Sequence, residues 1–106
     1  MEKIKAGEFE EKIKSAEFVL IDFSSPGCAP CQKVPPLISQ VLEELKNVNI
    51  QAFEVNVVEE PEIARKLLVL GIPTIIIFKN GHEIERFISV PKIKKIIEIM
   101  KSQISG

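Results

Sequence analysis

Six consecutive residues, Phe18-Val19-Leu20-Ile21-Asp22-Phe23, place five large apolar side chains around a single carboxylate. A strand with one wet face alternates apolar and polar residues. A run of this kind is instead a strand buried on both faces, central in its sheet and parallel to a neighbour. Helices must then cover both sides of the sheet. Asp22 must be neutralised, hydrogen-bonded or put to use, because an isolated charge is costly in an apolar interior.

The rest of the chain supplies those neighbours. Phe9 and Ile13 stand four apart among charges, which predicts a short surface helix over residues 8–15 bounded by Gly7. After the central strand, Ser24-Ser25-Pro26-Gly27 reads as a loop into Cys28. Val34, Leu37, Ile38, Val41, Leu42 and Leu45 then repeat at helical spacing, predicting a long helix to Lys46 with a kink at Pro35-Pro36. Residues 50–57 predict a strand with Phe53, Val55 and Val57 on one face and Ala52, Glu54 and Asn56 on the other. Pro61 opens another helix, which Gly71 ends. Residues 74–78 are strand-forming, and Asn80-Gly81 joins them as a hairpin to residues 83–88. Pro91 opens the last helix, with Ile93, Ile96, Ile97 and Met100 along one side and lysines along the other. The order is βαβ followed by ββα, an α/β fold with a central mixed sheet flanked by helices.

At 106 residues the chain is expected to form one domain spanning 1–106, large enough to bury a core without disulfide staples. Fourteen basic and fifteen acidic side chains leave a net charge of −1, with no basic footprint for a nucleic-acid partner. The charged N-terminus lacks the apolar core of a secretory signal, and the apolar stretch 67–78 is interrupted by Gly71 and Pro73, too short and broken for a membrane span. The expectation is a cytoplasmic protein. In that reducing setting, two closely spaced cysteines serve catalysis or metal binding rather than a structural bridge.

Those cysteines are Cys28-Ala29-Pro30-Cys31, just after the buried strand and at the start of the long helix. Unpaired N–H groups at a helix start favour a thiolate, so Cys28 is expected to have a depressed pKa and act as nucleophile. Cys31, a turn further in, is more shielded and suited to resolving a mixed disulfide. Pro30 fits a first turn, where its missing N–H costs little. The alternative is a pair of inert buried cysteines. A closed zinc site would need four ligands, and the other soft candidate, His82, falls on the hairpin; Gln32 after Cys31 excludes covalent haem attachment. No metal is expected. Asp22, buried below the cysteines, would have a raised pKa and could accept the Cys31 proton through water, unless it is merely a satisfied core carboxylate.

Ile21-Asp22-Phe23, Cys28-Ala29-Pro30-Cys31-Gln32-Lys33, Pro36, Gly71-Ile72-Pro73-Thr74 and Phe78-Lys79-Asn80-Gly81 together resemble the thioredoxin family over essentially the whole chain. The resemblance implies reversible thiol–disulfide exchange on proteins, with a redox-active Cys28–Cys31 disulfide and no bound cofactor. It implies a cis Ile72-Pro73 peptide facing the cysteines, Ile72 backbone pairing with an extended substrate segment, and a first strand near residues 2–5. It also implies a monomer supplied with electrons by a reductase or small thiol. Around the cysteines, Pro26, Gly27, Ala29 and Pro30 would contact substrate. The chain departs from the family where Gly27 replaces the usual tryptophan before the first cysteine and where Ala29 replaces a glycine. Ser24 stands where another tryptophan is frequent, and Glu54 aligns with the family's buried lysine, so Asp22 and Glu54 are expected to titrate as a pair. Two other readings stay open: a glutaredoxin-like, glutathione-linked reductase, and a binding module that uses the same groove without turnover.

Overall fold

In the computed structural model, which describes residues 1–104, the central apolar run becomes strand β2 (Phe18–Ser24), and all seven of its residues are buried. Strand β1 (Glu2–Lys3) precedes it, followed by a 3-10 turn (Ala6–Glu8) and helix α1 (Phe9–Lys12). After β2 come a second 3-10 turn (Pro30–Lys33), helix α2 (Val34–Glu44), strand β3 (Ile50–Asn56) and helix α3 (Pro61–Lys66). Strands β4 (Thr74–Lys79) and β5 (His82–Phe87) and helix α4 (Ile93–Ile104) follow. The strand order is β1-β3-β2-β4-β5. β1, β3 and β2 run parallel, and β4 and β5 are antiparallel to their neighbours. This is the mixed α/β sheet expected, with β2 bonded on both sides.

Alternation along the strands divides the core into two layers. Val19, Ile21, Phe23, Phe53, Val55, Ile76 and Phe78 pack beneath α1 and α3, which contribute Phe9 and Ile63. Phe18, Leu20, Ile75 and Ile77 face α2 and α4, which contribute Val34, Ile38, Val41, Ile96 and Met100. Asp22, in phase with Phe18 and Leu20, therefore leaves the sheet on the α2/α4 side.

Three local details differ from the sequence reading. Pro35 and Pro36 lie in the first turn of α2, and the change of helical geometry occurs just ahead of them, where the 3-10 turn passes into α2. The first helix is shorter than 8–15, with its N-terminal part in the 3-10 turn. Helix α3 ends well before Gly71, because Leu68 adopts φ 56°. The Val69 N–H donates to the Ala64 carbonyl at 2.8 Å and the Leu68 N–H to the Arg65 carbonyl at 3.2 Å, the paired bonds of a Schellman stop. Glycine normally fills that left-handed position, so a leucine there gives no stop signal in the sequence. Arg86 of β5 reinforces the stop by donating to the carbonyls of Leu67 and Leu68 at 2.9 and 3.2 Å.

A left-handed conformation costs a non-glycine residue about 1–2 kcal/mol, partly offset by the greater freedom of an unfolded glycine. Leu68 is 72% exposed and contributes little packing. Leu68→Gly is therefore expected to stabilise the protein by about 0.5–1 kcal/mol, read as a higher denaturant midpoint. A lower midpoint would mean that the leucine side chain contributes more than its backbone strain costs. The hairpin matches expectation, with Asn80 and Gly81 both at positive φ, 50° and 83°, as a tight two-residue turn demands.

Candidate redox site

The parallel strands β2 and β3 end together, with Ser24 in register with Asn56. The antiparallel register of β4 sets Thr74 beside Phe23. The loop carrying the cysteines and the loop carrying Pro73 therefore leave the sheet at one edge, the carboxyl end of the parallel strands, where open α/β sheets place their ligands. Residues 26 and 27 turn the chain there. Gly27 has φ +78° with open space around its missing Cβ, as suits the third residue of a Pro-Gly turn. A tryptophan at this φ would be strained, so the turn as it stands suits glycine.

Cys28 lies just ahead of the 3-10 turn, and Cys31 lies inside it. The two form a disulfide with Cα atoms 5.3 Å apart. Cys28 is partly exposed, whereas Cys31 is 4% exposed. The Cys31 backbone N–H donates to the Cys28 sulfur at 3.2 Å, so a donor is already aimed at the atom that would carry negative charge after reduction. Ala29 and Pro30 are exposed between them, and Pro30 takes the first position of the turn as expected.

Asp22 is fully buried, and neither carboxylate oxygen has a hydrogen-bond partner among the described residues. Its pKa is raised from 3.8 to about 7, first by burial and then by the negative charge of Glu54. Glu54 is Asp22's register partner on β3; it is partly buried and accepts a 2.9 Å hydrogen bond at Oε2 from Ser24 Oγ. Ser24 contributes a hydroxyl at a position where sequence reasoning saw a missing aromatic.

The Ile72-Pro73 peptide is cis. Pro73 is buried and Ile72 partly exposed, while Thr74 Oγ1 donates to the Gly71 carbonyl at 2.7 Å and steadies the turn. Beside this turn, Leu68, Leu70 and Ile88 line a shallow depression with Gly71, Thr74 and Arg86. Leu70 is 94% exposed and Ile88 71%. Sequence reasoning missed this apolar patch. Its signal was present in the run Leu67-Leu68-Val69-Leu70, which is apolar at every position where a helix would show one wet face. His82 is exposed on the hairpin. Among the described residues no group of three or more His, Cys, Asp or Glu side chains could hold a metal ion. No helix among them is long and apolar enough to cross a membrane.

A disulfide spanning two residues at a helix start, with one sulfur reachable and the other shielded, defines a thiol–disulfide oxidoreductase when set on this sheet. Comparison with known proteins gives the family. The Thioredoxin family model matches residues 1–102. A thioredoxin of Rickettsia bellii is 32% identical over 95 residues, covering 90% of each chain. A thioredoxin of Porphyra purpurea is 36% identical over 84 residues, covering 78% of each. Among solved structures, chloroplastic thioredoxin z superposes with a TM-score of 0.86 at 26% identity, over all of this chain and 96% of that one. Mitochondrial thioredoxin 3 of Saccharomyces cerevisiae, at 24% identity and a TM-score of 0.83 over 96% and 94% of the two chains, shares the fold. The chain belongs to the thioredoxin family and is a protein disulfide oxidoreductase.

Proposed function

We propose that this chain reduces protein disulfides as a single domain, 1–106, and a monomer in a thiol-reducing cytoplasm, with Cys28 as nucleophile, Cys31 as resolving thiol and Asp22 as proton acceptor. The observation that carries the reading is the unequal exposure of the two cysteines, with the Cys31 N–H aimed at the Cys28 sulfur. The Cys28 thiolate attacks a substrate disulfide, forming a bond to one substrate sulfur and releasing the other as a thiolate that takes a proton from water. Cys31 then gives its proton to Asp22 and attacks the Cys28 sulfur. The Cys28–Cys31 bond forms, the mixed disulfide breaks, and two electrons have passed to the substrate. No bound cofactor takes part, and a reductase or small thiol returns the pair to the dithiol.

The substrate segment lies extended against Ile72 and the cis Pro73, with Pro26, Gly27, Ala29 and Pro30 on its other side. Leu70 and Ile88 extend that surface with apolar area of the kind an aromatic beside Cys28 would otherwise supply. Reduced protein treated with iodoacetamide near neutral pH is expected to be labelled at Cys28 much faster than at Cys31, measured by peptide mass spectrometry. Equal labelling, or faster labelling of Cys31, would sink the assignment of roles.

A further inference from the structure

Asp22 emerges on a largely apolar face. Ile75 of β4 flanks it on one side, and the helices layered there present Val34 and Ile38 from α2 and Ile96 and Met100 from α4. On the other side stands Glu54 of β3, in register with it. Adjacent strands are about 4.8 Å apart and paired residues point to the same face, so the two carboxyl side chains leave the sheet side by side. They do not bond to each other, since both Asp22 oxygens lack a partner. Ser24, also buried, pins Glu54 instead through its 2.9 Å hydrogen bond. On the outer side of Glu54, β1 brings Lys3 into register, with its ammonium 3.8 Å from Glu59. The remaining titratable group in play is the reduced Cys31 thiol, on the turn that leads into α2.

We propose that Glu54, held by the Ser24 hydroxyl, is a positioning residue for the resolving step: its charge, one strand away, makes Asp22 an acceptor for the Cys31 proton. The inference rests on the proton-acceptor role given to Asp22 above. A thiol that ionises near pH 8.5 surrenders its proton poorly to a carboxylate of ordinary acidity, and proton transfer is most effective when the acceptor titrates near the working pH. Burial alone moves Asp22 in that direction, and a second negative charge moves it further. The Ser24 hydroxyl holds the Glu54 carboxyl in place, so Glu54 acts without touching sulfur or substrate.

The test compares wild type, Glu54→Gln, Glu54→Asp, Ser24→Ala and Asp22→Asn. Carbon-detected NMR gives the Asp22 titration midpoint in each carboxylate-retaining protein. The pH profile of mixed-disulfide resolution is followed by stopped flow with an oxidised model peptide. Glu54→Gln is expected to lower the Asp22 midpoint by about one pH unit and to shift the acidic limb of the rate profile the same way. Glu54→Asp, which keeps the charge, is expected to restore most of both shifts, and Ser24→Ala to reproduce part of them. An unmoved midpoint in Glu54→Gln overturns the inference while leaving the role of Asp22 standing, provided Asp22→Asn is slow in resolution. An Asp22→Asn profile identical to wild type overturns both.

Discussion

Asp22→Asn is expected to stabilise the oxidised protein by up to about 4 kcal/mol at pH 8.5 and to change its stability little near pH 3.5. The carboxyl holds its proton to about pH 7 in the folded protein, because burial and then Glu54 oppose ionisation, whereas in the unfolded chain it ionises near 3.8. Below the lower value both states are protonated and the residue costs nothing through titration. As pH rises between the two, the unfolded chain gains the ionised form first, and stability is lost until the folded carboxyl also ionises near 7. Above that the loss is constant. One pH unit of displacement is worth about 1.36 kcal/mol, and the displacement spans about three. Asparagine has the same shape and is also buried without partners, but it does not titrate. The comparison therefore isolates the charge. Denaturant unfolding of both proteins across pH 3.5 to 8.5 measures it, and a difference independent of pH would show that Asp22 does not titrate between 3.8 and 7. With Asp22 as the proposed proton acceptor, the same substitution is expected to slow the resolving step, so that stability and turnover move in opposite directions at one residue.

The parts of this architecture that were legible in the sequence are those in which a single physical requirement dominates a segment. Residues 18–23 have no wet face, so they had to be the centre of the sheet. Asn80-Gly81 supplies two left-handed positions, so it had to be a hairpin turn, and the Cys28–Cys31 spacing before a helical repeat marked the site. What was hidden depends on contacts between distant segments or on a residue acting against its own preference. Leu68 ends a helix in a conformation that favours glycine, supported by Arg86 from eighteen residues further on. No local pattern could show that. The environment of Glu54 was equally hidden: strand alternation set its face, but the Ser24 hydrogen bond exists only because β2 and β3 align in parallel with residues 24 and 56 in register. Pro35-Pro36 marked a change of helical geometry without fixing its place. Proline is disruptive inside a helix and harmless in its first turn, and only the 3-10 turn ahead of them places them in that first turn.

Cys31→Ser is expected to hold protein substrates as stable mixed disulfides, whereas Cys28→Ser captures none and shows only background disulfide reduction. The reason lies in access. The partly exposed Cys28, with the Cys31 N–H pointed at its sulfur, can reach an incoming disulfide, and the bond it forms persists until the shielded residue 31 supplies a second sulfur. Serine at position 31 keeps the backbone donor and removes that sulfur, so attack continues and release stops. Capture should also depend on the apolar surface beside the cis proline. Leu70 is 94% exposed and makes little contribution to the core, so Leu70→Glu leaves the fold and the Cys28 alkylation rate unchanged. In the Cys31→Ser background it should nevertheless lower the yield of trapped protein substrates, while trapping of a small linear disulfide such as 2-hydroxyethyl disulfide stays the same, because a small molecule engages the sulfur without needing an apolar docking surface. Non-reducing electrophoresis with mass spectrometry of the adducts reads both yields. Trapping by Cys28→Ser would reverse the assignment of nucleophile, and equal protein trapping with and without Leu70→Glu would remove the patch from substrate recognition while leaving the chemistry of the cysteines in place.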